Sequence, residues 1–201
     1  MNPGIVVGMA HNTGSADRAR PPQCFFKPPS TVIGPDEPIV LPEDAGLVEP
    51  EAEIALVLGE TCRNLTPATA AQAVRGWTVG NDVTGRDLQR SDPLWVRAKA
   101  CDTFTPLSDD IVPGLPAPDT PIDLIVDGVL VSHASLAGLA RDPVEILCYV
   151  TSFMTLHPGD VILTGAPGTA VALRPGMTVT VRSDTGPSIT NPVIAGPPLG
   201  A

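Results

Sequence analysis

The sequence is short of aromatic and basic residues. It has 4 Phe, 2 Trp and 1 Tyr among 201 residues, and 12 Lys and Arg against 22 Asp and Glu, which gives a net charge of −10. Base stacking needs aromatic side chains, and a chain this acidic repels phosphate backbones and anionic membrane surfaces. The composition therefore argues against nucleic acid and membranes as partners. It leaves room for a small anionic substrate, provided that a metal ion or a local basic cluster inverts the field.

Long apolar runs and paired cysteines are lacking too. No apolar stretch approaches the roughly 18 residues of a membrane-spanning helix, and no basic start precedes an apolar segment typical of a signal peptide. The cysteines Cys24, Cys62, Cys101 and Cys148 form no CxxC pair and no metal-ligand spacing with histidine. We therefore expect a cytoplasmic protein with free thiols, although two remote disulfides would also fit the spacing.

The apolar content, 43 % of the residues, predicts one folded domain over residues 1–201. Strand-like runs outnumber helical ones and do not alternate with them, which favours a β-rich α+β fold. Two helices have readable starts, one over about 67–75 behind Thr66 and one from Pro143 to about Leu156 behind Asp142. The predicted strands are 4–9, 31–34, 51–58, 78–82, 122–126, 129–131, 161–164 and 178–181.

The predicted strand 51–58 has an unusual face. Alternation places Glu51 and Glu53 on one side, together with Ala55 and Val57. Two carboxylates on an apolar face repel each other and resist burial, and a bound divalent cation would relieve both problems. The plainer alternative is the solvent-exposed face of an edge strand.

A third carboxylate, Asp82, ends the strand-like run 76–82. If it lies beside Glu51 and Glu53, three oxygen ligands without His or Cys suit a hard cation such as Mg²⁺, with Mn²⁺ or Ca²⁺ as variants. An Asp in this position is equally common as a helix cap.

Other polar residues would complete such a site. Lys99 would supply positive charge for a developing enolate, whereas most lysines are simply solvated. Arg86 and Gln89 are neighbours if their segment is helical, and they then either clamp a substrate carboxylate or form an exposed helix face. The turn at 164–168 offers backbone N–H groups to an anion or is an ordinary turn. The polar loop 10–22, which contains His11, has a length typical of functional loops.

These residues stand in motifs that resemble the fumarylacetoacetate hydrolase family. In order, over about residues 4–195, the motifs are Phe26-Lys27-Pro28-Pro29-Ser30, Glu51-Ala52-Glu53, Asn81-Asp82-Val83-Thr84-Gly85-Arg86-Asp87-Leu88-Gln89, Lys99 followed by Asp102-Thr103-Phe104, and Gly159-Asp160-Val161-Ile162-Leu163-Thr164-Gly165. The run from 81 to 89 is the most specific of them.

The resemblance implies a fold, a metal site and a class of substrate. The fold is a mixed β-sandwich roll with a few short helices, commonly in a homodimer, and Glu51, Glu53 and Asp82 match the metal ligands. The substrates are small anionic keto acids, such as acylpyruvates and hydroxymuconate-type acids, which the family hydrolyses, isomerises or decarboxylates. Lys99 matches the family's catalytic lysine. Its substrate-binding residues are matched by Arg86, Gln89 and Thr164.

The sequence departs from the family in one segment. Hydrolases of the family carry Asn-Tyr-x-x-His-x-x-Glu after the first strand, in a lid whose His and Glu activate water. Here residues 10–17 place His11 on the tyrosine, Gly14 on the histidine and Asp17 on the glutamate. We therefore expect residues 10–22 to form a mobile lid in which His11 or Asp17 serves as the base.

Three functions remain open at this point. The leading hypothesis is a metal-dependent hydrolase that cleaves a C–C bond of an acylpyruvate-type acid through an enolate. An isomerase or decarboxylase on the same site is the alternative, because neither reaction needs an activated water. A degenerate binding protein without catalysis is the third.

Overall fold

The structure is a computed structural model that describes residues 1–167, 171–184 and 186–200. Within those ranges no helix is long and apolar enough to cross a bilayer. All four cysteines are free thiols, as expected.

Short strands dominate the described part of the chain. They are β1 (Val6–Ala10), β2 (Gln23–Lys27), β3 (Val32–Ile33), β4 (Ile39–Leu41), β5 (Val48–Glu49), β6 (Ala52–Leu58), β7 (Val74–Asn81), β8 (Thr84–Gly85), β9 (Thr105–Pro106), β10 (Val112–Pro113), β11 (Pro121–Val126), β12 (Val129–Ser135), β13 (Val161–Leu163), β14 (Thr178–Arg182) and β15 (Ser188–Ala195). The α-helices are α1 (Gly14–Arg18), α2 (Arg86–Ser91), α3 (Val96–Lys99) and α4 (Pro143–Phe153), and single 3₁₀ turns span Pro29–Thr31, Ala70–Ala73 and Leu136–Gly138.

Two mixed sheets form the body of the fold. One has six strands in the order β10-β7-β6-β13-β1-β2, and the other has five in the order β12-β11-β14-β15-β4. A single apolar core joins them, with Ile54 and Leu56 of β6 in the same cluster as Leu124 of β11 and Val181 of β14. The predicted β-rich α+β class is therefore confirmed, and the strand pairing matches a sandwich of two sheets.

Strand β6 lies in the middle of the six-stranded sheet, between β7 and β13, and all of its seven residues are buried. Its even-numbered residues face the main core. Ala55 and Val57 face a smaller cluster that includes Leu107 and Val161. Glu53 shares this second face and is only 2 % exposed, so the alternative of a solvent-exposed edge strand is excluded.

Local signals placed several elements correctly. Asp127 and Gly128 join β11 to β12 with φ of 52° and 77°, as the Asp-Gly hairpin signal predicts. Helix α4 begins with a complete capping box, in which Asp142 accepts from the N–H of Glu145 and the Glu145 side chain accepts from the N–H of Asp142. The helix ends at Phe153, earlier than expected, because Met154 is extended.

The predicted helix over 67–75 is wrong. Only the 3₁₀ turn Ala70–Ala73 forms, and β7 begins at Val74, which pairs with Leu58 of β6. Pairing with the central strand therefore outweighs the local helix signal at Thr66. Strand β15 was not anticipated, since Pro192 interrupts its pattern, although it pairs with both β14 and β4.

We predict that the Asp142→Ala variant loses about 1 kcal/mol of unfolding free energy, because it leaves the first turn of α4 without its cap. Urea denaturation followed by circular dichroism measures the change. Ser152→Ala is the matched control: its exposed hydroxyl bonds only the Tyr149 carbonyl in the last turn of the same helix. An equal loss in the two variants would contradict the role of the cap.

Candidate active site

Antiparallel pairing of β6 with β7 brings three carboxylates together. Ala52 pairs with Asn81, and the N–H of Asp82 donates to the Glu51 carbonyl at 2.9 Å. The Asn81 side chain in turn accepts from the N–H of Glu51 at 3.0 Å. One oxygen each from Glu51, Glu53 and Asp82 lies within 4.8 Å of the others. The structure thus brings the three predicted metal ligands into one cluster.

The three carboxylates are in unequal environments. Burial raises the pKa of Glu53, and the neighbouring charges of Asp82 and Glu51 raise it further. Burial also disfavours the ionised form of Glu51, but Lys99 and Arg86 outweigh it and hold its pKa below the ordinary value. Glu53 accepts a 2.6 Å hydrogen bond from the N–H of Gly165, and no cationic side chain in the described ranges forms an ion pair with it. Glu53 is therefore the carboxylate that needs a proton or a bound cation to neutralise it.

Two buried lysines hold Asp82 from opposite oxygens. Lys99 donates to Oδ2 of Asp82 and, at 2.9 Å, to Oε2 of Glu51. Lys27 donates to Oδ1 of Asp82 and to the carbonyls of Val83 and Phe104. Burial disfavours the charged form of Lys99, yet the two carboxylates outweigh it and raise its pKa. Lys99 thus stays an ammonium beside the acidic cluster.

Arg86 opens helix α2 and faces the same cluster. Its guanidinium donates to Glu49 at 2.7 Å, to Glu51 at 2.8 Å and to the side-chain oxygen of Gln89 at 3.2 Å. The predicted Arg86–Gln89 pair on one helix face is therefore present. The remaining N–H groups of the guanidinium are available to an anion.

These side chains surround a cavity of about 300 Å³. Its lining consists of Met9, Ala10, His11, Asn12, Thr13, Phe25, Glu51, Glu53, Asp82, Arg86, Gln89, Trp95, Lys99, Gly165 and Ala166. Part of the wall is aromatic: Trp95 lies 5.7 Å from His11 and 6.1 Å from Phe25, measured between ring centroids, and the Lys99 ammonium lies 4.3 Å from the centroid of the Phe25 ring. The cavity therefore combines charged groups with an apolar wall, as small-molecule sites do.

The predicted lid segment is folded and only partly joins the cavity. His11 lines it, whereas Asp17 does not: its carboxylate accepts from the N–H of Thr13 at 3.0 Å and lies 3.7 Å from Arg20. Asp17 therefore lies outside the cavity lining in this conformation, and the prediction that it serves as the base requires the lid to move. Gly14 opens α1 at a φ of 67°, with nothing within 4 Å of where a Cβ would stand.

Buried hydrogen bonds of Asn12, together with more exposed contacts of Arg141 and Arg18, attach the same segment to the body of the protein. The Asn12 amide donates to the carbonyls of Arg141 and Thr164 and accepts from the N–H of Arg141. Arg141 reaches the carbonyls of Asp17 and Arg20, and Arg18 pairs with Glu145 at 2.7 Å. Movement of the lid remains a prediction, and these contacts are the ones that such movement would break.

The turn after β13 contributes its backbone to the site. Thr164 is fully buried and donates its hydroxyl to the Ile54 carbonyl at 3.0 Å, so its side chain does not line the cavity as expected of a substrate-binding residue. Gly165 and Ala166 line the cavity instead. Gly168, the last residue of the predicted anion-binding turn, lies outside the described residues.

Sequence reasoning missed three contributors. Lys27 stands in the first motif, which assigns it no role, although alternation along β2 places it on the same buried face as Phe25. Thr84 accepts from Lys99 at 2.6 Å and donates to Glu51 at 2.9 Å. Trp95 gave no usable signal, because its position depends on a left-handed backbone with a φ of 59°.

A second group of acidic and histidine ligands lies elsewhere, at Asp123, His133 and Asp184. The buried Asp123 already accepts from His133 at 2.6 Å and from Arg182 at 3.1 Å. Burial opposes its ionisation, but these two hydrogen bonds outweigh it and lower its pKa. The pairing accounts for this group without a metal.

The donor set of the first cluster fits a hard divalent cation. Three carboxylates converge without sulfur or imidazole, which is the chemistry that Mg²⁺ and Mn²⁺ prefer. Glu53 provides a second observation in favour of a bound cation, since it is 2 % exposed and lacks a cationic partner among the described residues. Burying such a charge is costly unless a cation or a proton neutralises it.

Comparisons of this chain with a family model and with known proteins agree on one family. The model of the family "Fumarylacetoacetate (FAA) hydrolase C-terminal" matches residues 6–194. Protein Rv2993c of Mycobacterium tuberculosis is 41 % identical over 177 residues, which cover 86 % of this chain and 66 % of that protein. The oxaloacetate tautomerase YcgM of Escherichia coli is 34 % identical over 181 residues, which cover 86 % of this chain and 82 % of that one.

A solved structure agrees in fold. The 5-carboxymethyl-2-hydroxymuconate delta-isomerase of Mycobacterium smegmatis superposes with a TM-score of 0.92 at 36 % identity, covering 98 % of this chain and 80 % of that chain. The chain spans about two thirds of the length of the first curated relatives, between 64 % and 66 %.

We predict that Glu53→Gln weakens Mg²⁺ binding at least about tenfold, because it removes a charged ligand, and loss of a mere outer-shell partner already costs about 10–100-fold. Isothermal calorimetry measures the affinity. Glu49→Gln is the matched control, since Glu49 bonds Arg86 and stands outside the three-carboxylate cluster. Unchanged Mg²⁺ affinity in Glu53→Gln would contradict the site.

Proposed function

This chain belongs to the fumarylacetoacetate hydrolase family, and from that premise we propose that it is a divalent-metal-dependent enzyme that forms an enolate from a small keto acid. Among the reactions that such an enolate allows, we favour isomerisation or decarboxylation, and we keep C–C hydrolysis of an acylpyruvate-type acid as the second candidate. The ion is Mg²⁺, with Mn²⁺ or Ca²⁺ as variants.

One observation carries the proposal. The cavity contains the acidic cluster, the Lys99 ammonium and the imidazole of His11, whereas neither Gly14 nor Asp17 supplies a second proton-transfer group to it. Decarboxylation needs only the stabilised enolate and isomerisation needs one group that moves a proton at carbon, whereas hydrolysis needs an activated water as well. The names of the Escherichia coli and Mycobacterium smegmatis relatives, a tautomerase and an isomerase, support the same choice.

The binding roles follow from the charges. Glu51, Glu53 and Asp82 would hold the ion, which when bound polarises the adjacent carbonyl and carboxylate oxygens of a keto acid. Arg86 and Gln89 orient the substrate carboxylate with the guanidinium N–H groups that Glu49 and Glu51 leave free. Lys27 has no room to meet substrate, since it is fully buried, and it fixes the orientation of Asp82.

The catalytic roles fall to two side chains. Lys99 places its ammonium where negative charge develops on the substrate oxygen, and its contacts with Asp82, Glu51 and Thr84 fix it there. His11 lies in the cavity wall and is the imidazole that moves the proton at the carbon beside the ketone. The same imidazole is the base that would activate water in the second candidate reaction.

The homodimer and the role of Thr164 in substrate binding rest on the family resemblance. Sedimentation velocity tests whether the protein is a homodimer, and the expected species has twice the 20.8 kDa mass of the chain. The hydroxyl of Thr164 would have to leave Ile54 before it could meet substrate.

The proposed function is tested by incubating the Mg²⁺-loaded protein with oxaloacetate, an acylpyruvate and a hydroxymuconate analogue, and by reading the products by NMR. We expect a faster keto–enol interconversion, or loss of CO₂, with at least one of them. Rapid cleavage of the acylpyruvate alone would favour the second candidate. No accelerated reaction with any of the three would contradict an enzyme of this substrate class.

We predict that Lys99→Met lowers turnover about 10²–10³-fold, the usual effect of removing one preorganised oxyanion partner. The variant keeps an unbranched side chain, one atom shorter, and removes the ammonium with its charge and its hydrogen bonds. Its Mg²⁺ affinity, measured by calorimetry, is expected not to fall, because Lys99 neutralises two of the ligands. Turnover near the wild-type value would show that Lys99 has no role in the reaction.

The lid separates the two candidate reactions. If water activation is weak because Gly14 replaces a histidine, Gly14→His raises acylpyruvate hydrolysis, by up to the 10²–10⁴-fold that general-base catalysis provides. Histidine tolerates the left-handed backbone of this position better than most residues, and so does asparagine. Gly14→Asn is therefore the control that adds a side chain without a base.

His11→Ala completes this comparison. We expect it to slow isomerisation, and to abolish hydrolysis only if His11 is the base for water. Steady-state rates with both substrates measure the two effects. Fast native hydrolysis that neither His11→Ala nor Gly14→His changes would place the base on another residue.

A further inference from the structure

The active-site cavity shares a wall with a second cavity of about 460 Å³, which we name the outer chamber. Phe25 and Trp95 line both. The rest of the outer chamber is largely apolar and includes Phe26, Leu94 and Val96, which are 48 %, 80 % and 56 % exposed. One aromatic partition thus separates the acidic cluster from an open apolar space.

The Trp95 side of this partition is held in an unusual conformation. Trp95 has φ 59° and ψ 17°, a left-handed region that bulky residues rarely occupy. Asp92 maintains it: its carbonyl accepts from the N–H of Trp95 at 3.0 Å, and its carboxylate accepts from the N–H groups of Leu94 and Arg97. With this backbone the indole lines both cavities.

Charge is distributed unevenly along the cavity. Its cationic lining residues, Arg86 and Lys99, lie at the carboxylate end. The apolar lining residues are Met9, Phe25 and Trp95: the Phe25 ring begins beside the Lys99 ammonium, 4.3 Å from Nζ to the ring centroid, and the indole follows at 6.1 Å from that ring, with His11 edge-on against it at 5.7 Å. A substrate with its acidic head at Arg86 would thus present its other end to an apolar surface.

From this arrangement we infer that Trp95 determines the substrate's tail: the keto acid has one carboxylate and a short apolar tail that ends against the indole, which an acylpyruvate with an alkyl tail satisfies and the two dicarboxylates named above do not. The inference that the substrate has a keto-acid head depends on the proposed function. The inference that its tail is apolar and short depends on the wall that Phe25 and Trp95 form between the two cavities. Removing the indole joins the two cavities, so longer tails enter the outer chamber.

The test uses N-methyl, N-butyl and N-octyl oxamate as probes. Each has the 2-oxo-carboxylate head of a keto acid but no carbon that can enolise, so binding is measured without turnover. Calorimetry on the Mg²⁺-loaded protein gives the affinity for wild type, Trp95→Gly and Trp95→Phe. Glycine suits the positive φ, so the substitution removes the indole without adding strain.

In wild type we expect butyl to bind more tightly than methyl, since each buried methylene strengthens binding roughly threefold to fourfold. We expect octyl to bind no better than butyl. In Trp95→Gly, octyl is expected to bind at least about tenfold more tightly than in wild type, with methyl changed by less than about threefold. The affinity of Trp95→Phe for octyl oxamate is expected to lie between those of wild type and Trp95→Gly.

Fluorescence gives a second readout, because the chain has only two tryptophans. In Trp77→Phe, which leaves Trp95 as the reporter, butyl oxamate is expected to shift the emission, and in Trp95→Phe it is not.

The outcomes separate the two proposals. Equal weakening of all three probes in Trp95→Gly would mean a merely structural tryptophan and would overturn the inference. An octyl probe that binds wild type as tightly as Trp95→Gly would overturn it as well. If no oxamate binds the Mg²⁺-loaded wild type, the proposed function fails, and the inference fails with it.

Discussion

Buried negative charge is the constraint on which the site depends. The register of β6 against β7 places Glu51 and Asp82 side by side at the ends of two central strands, and Glu53 follows on the same face. An apolar interior does not tolerate such a cluster without compensating charge. Lys27, Lys99 and Arg86 neutralise all of it except Glu53. That remaining carboxylate is the reason why the cluster suits a divalent cation.

The neighbouring elements serve the same constraint. Helix α2 begins with Arg86, and helix α3 ends with Lys99, so two very short helices deliver the cations. Strand β2 delivers Lys27 from the sheet edge, and the turn after β13 adds the N–H of Gly165. Breaking one partner of such a network leaves an uncompensated charge, which costs more than the pair contributes. The polar residues are thus interdependent, and Phe25 links them to the aromatic wall, because its ring lies 4.3 Å from the Lys99 ammonium.

Much of this could be predicted from local patterns, and the rest could not for physical reasons. The alternation of β6 gave the Glu51–Glu53 face, and the Asp142 capping box gave the start of α4, because both signals lie within a few residues. The lost helix after Thr66 and the unexpected β15 depend on pairing with distant strands. The positions of Asp17 and Thr164 follow from hydrogen bonds with Thr13 and Ile54, which motif matching does not contain. The position of Trp95 depends on a left-handed backbone conformation, which sequence patterns do not predict.

The central claim is that this cavity makes an enolate. Proton NMR of 2-oxobutanoate in D₂O measures it directly, since the methylene hydrogens beside the ketone exchange with solvent only through that species. We expect the Mg²⁺-loaded protein to accelerate this exchange, and we expect Lys99→Met to remove most of the acceleration. An exchange rate equal to that of buffer with Mg²⁺ alone, from protein shown by calorimetry to hold the metal, would contradict the account.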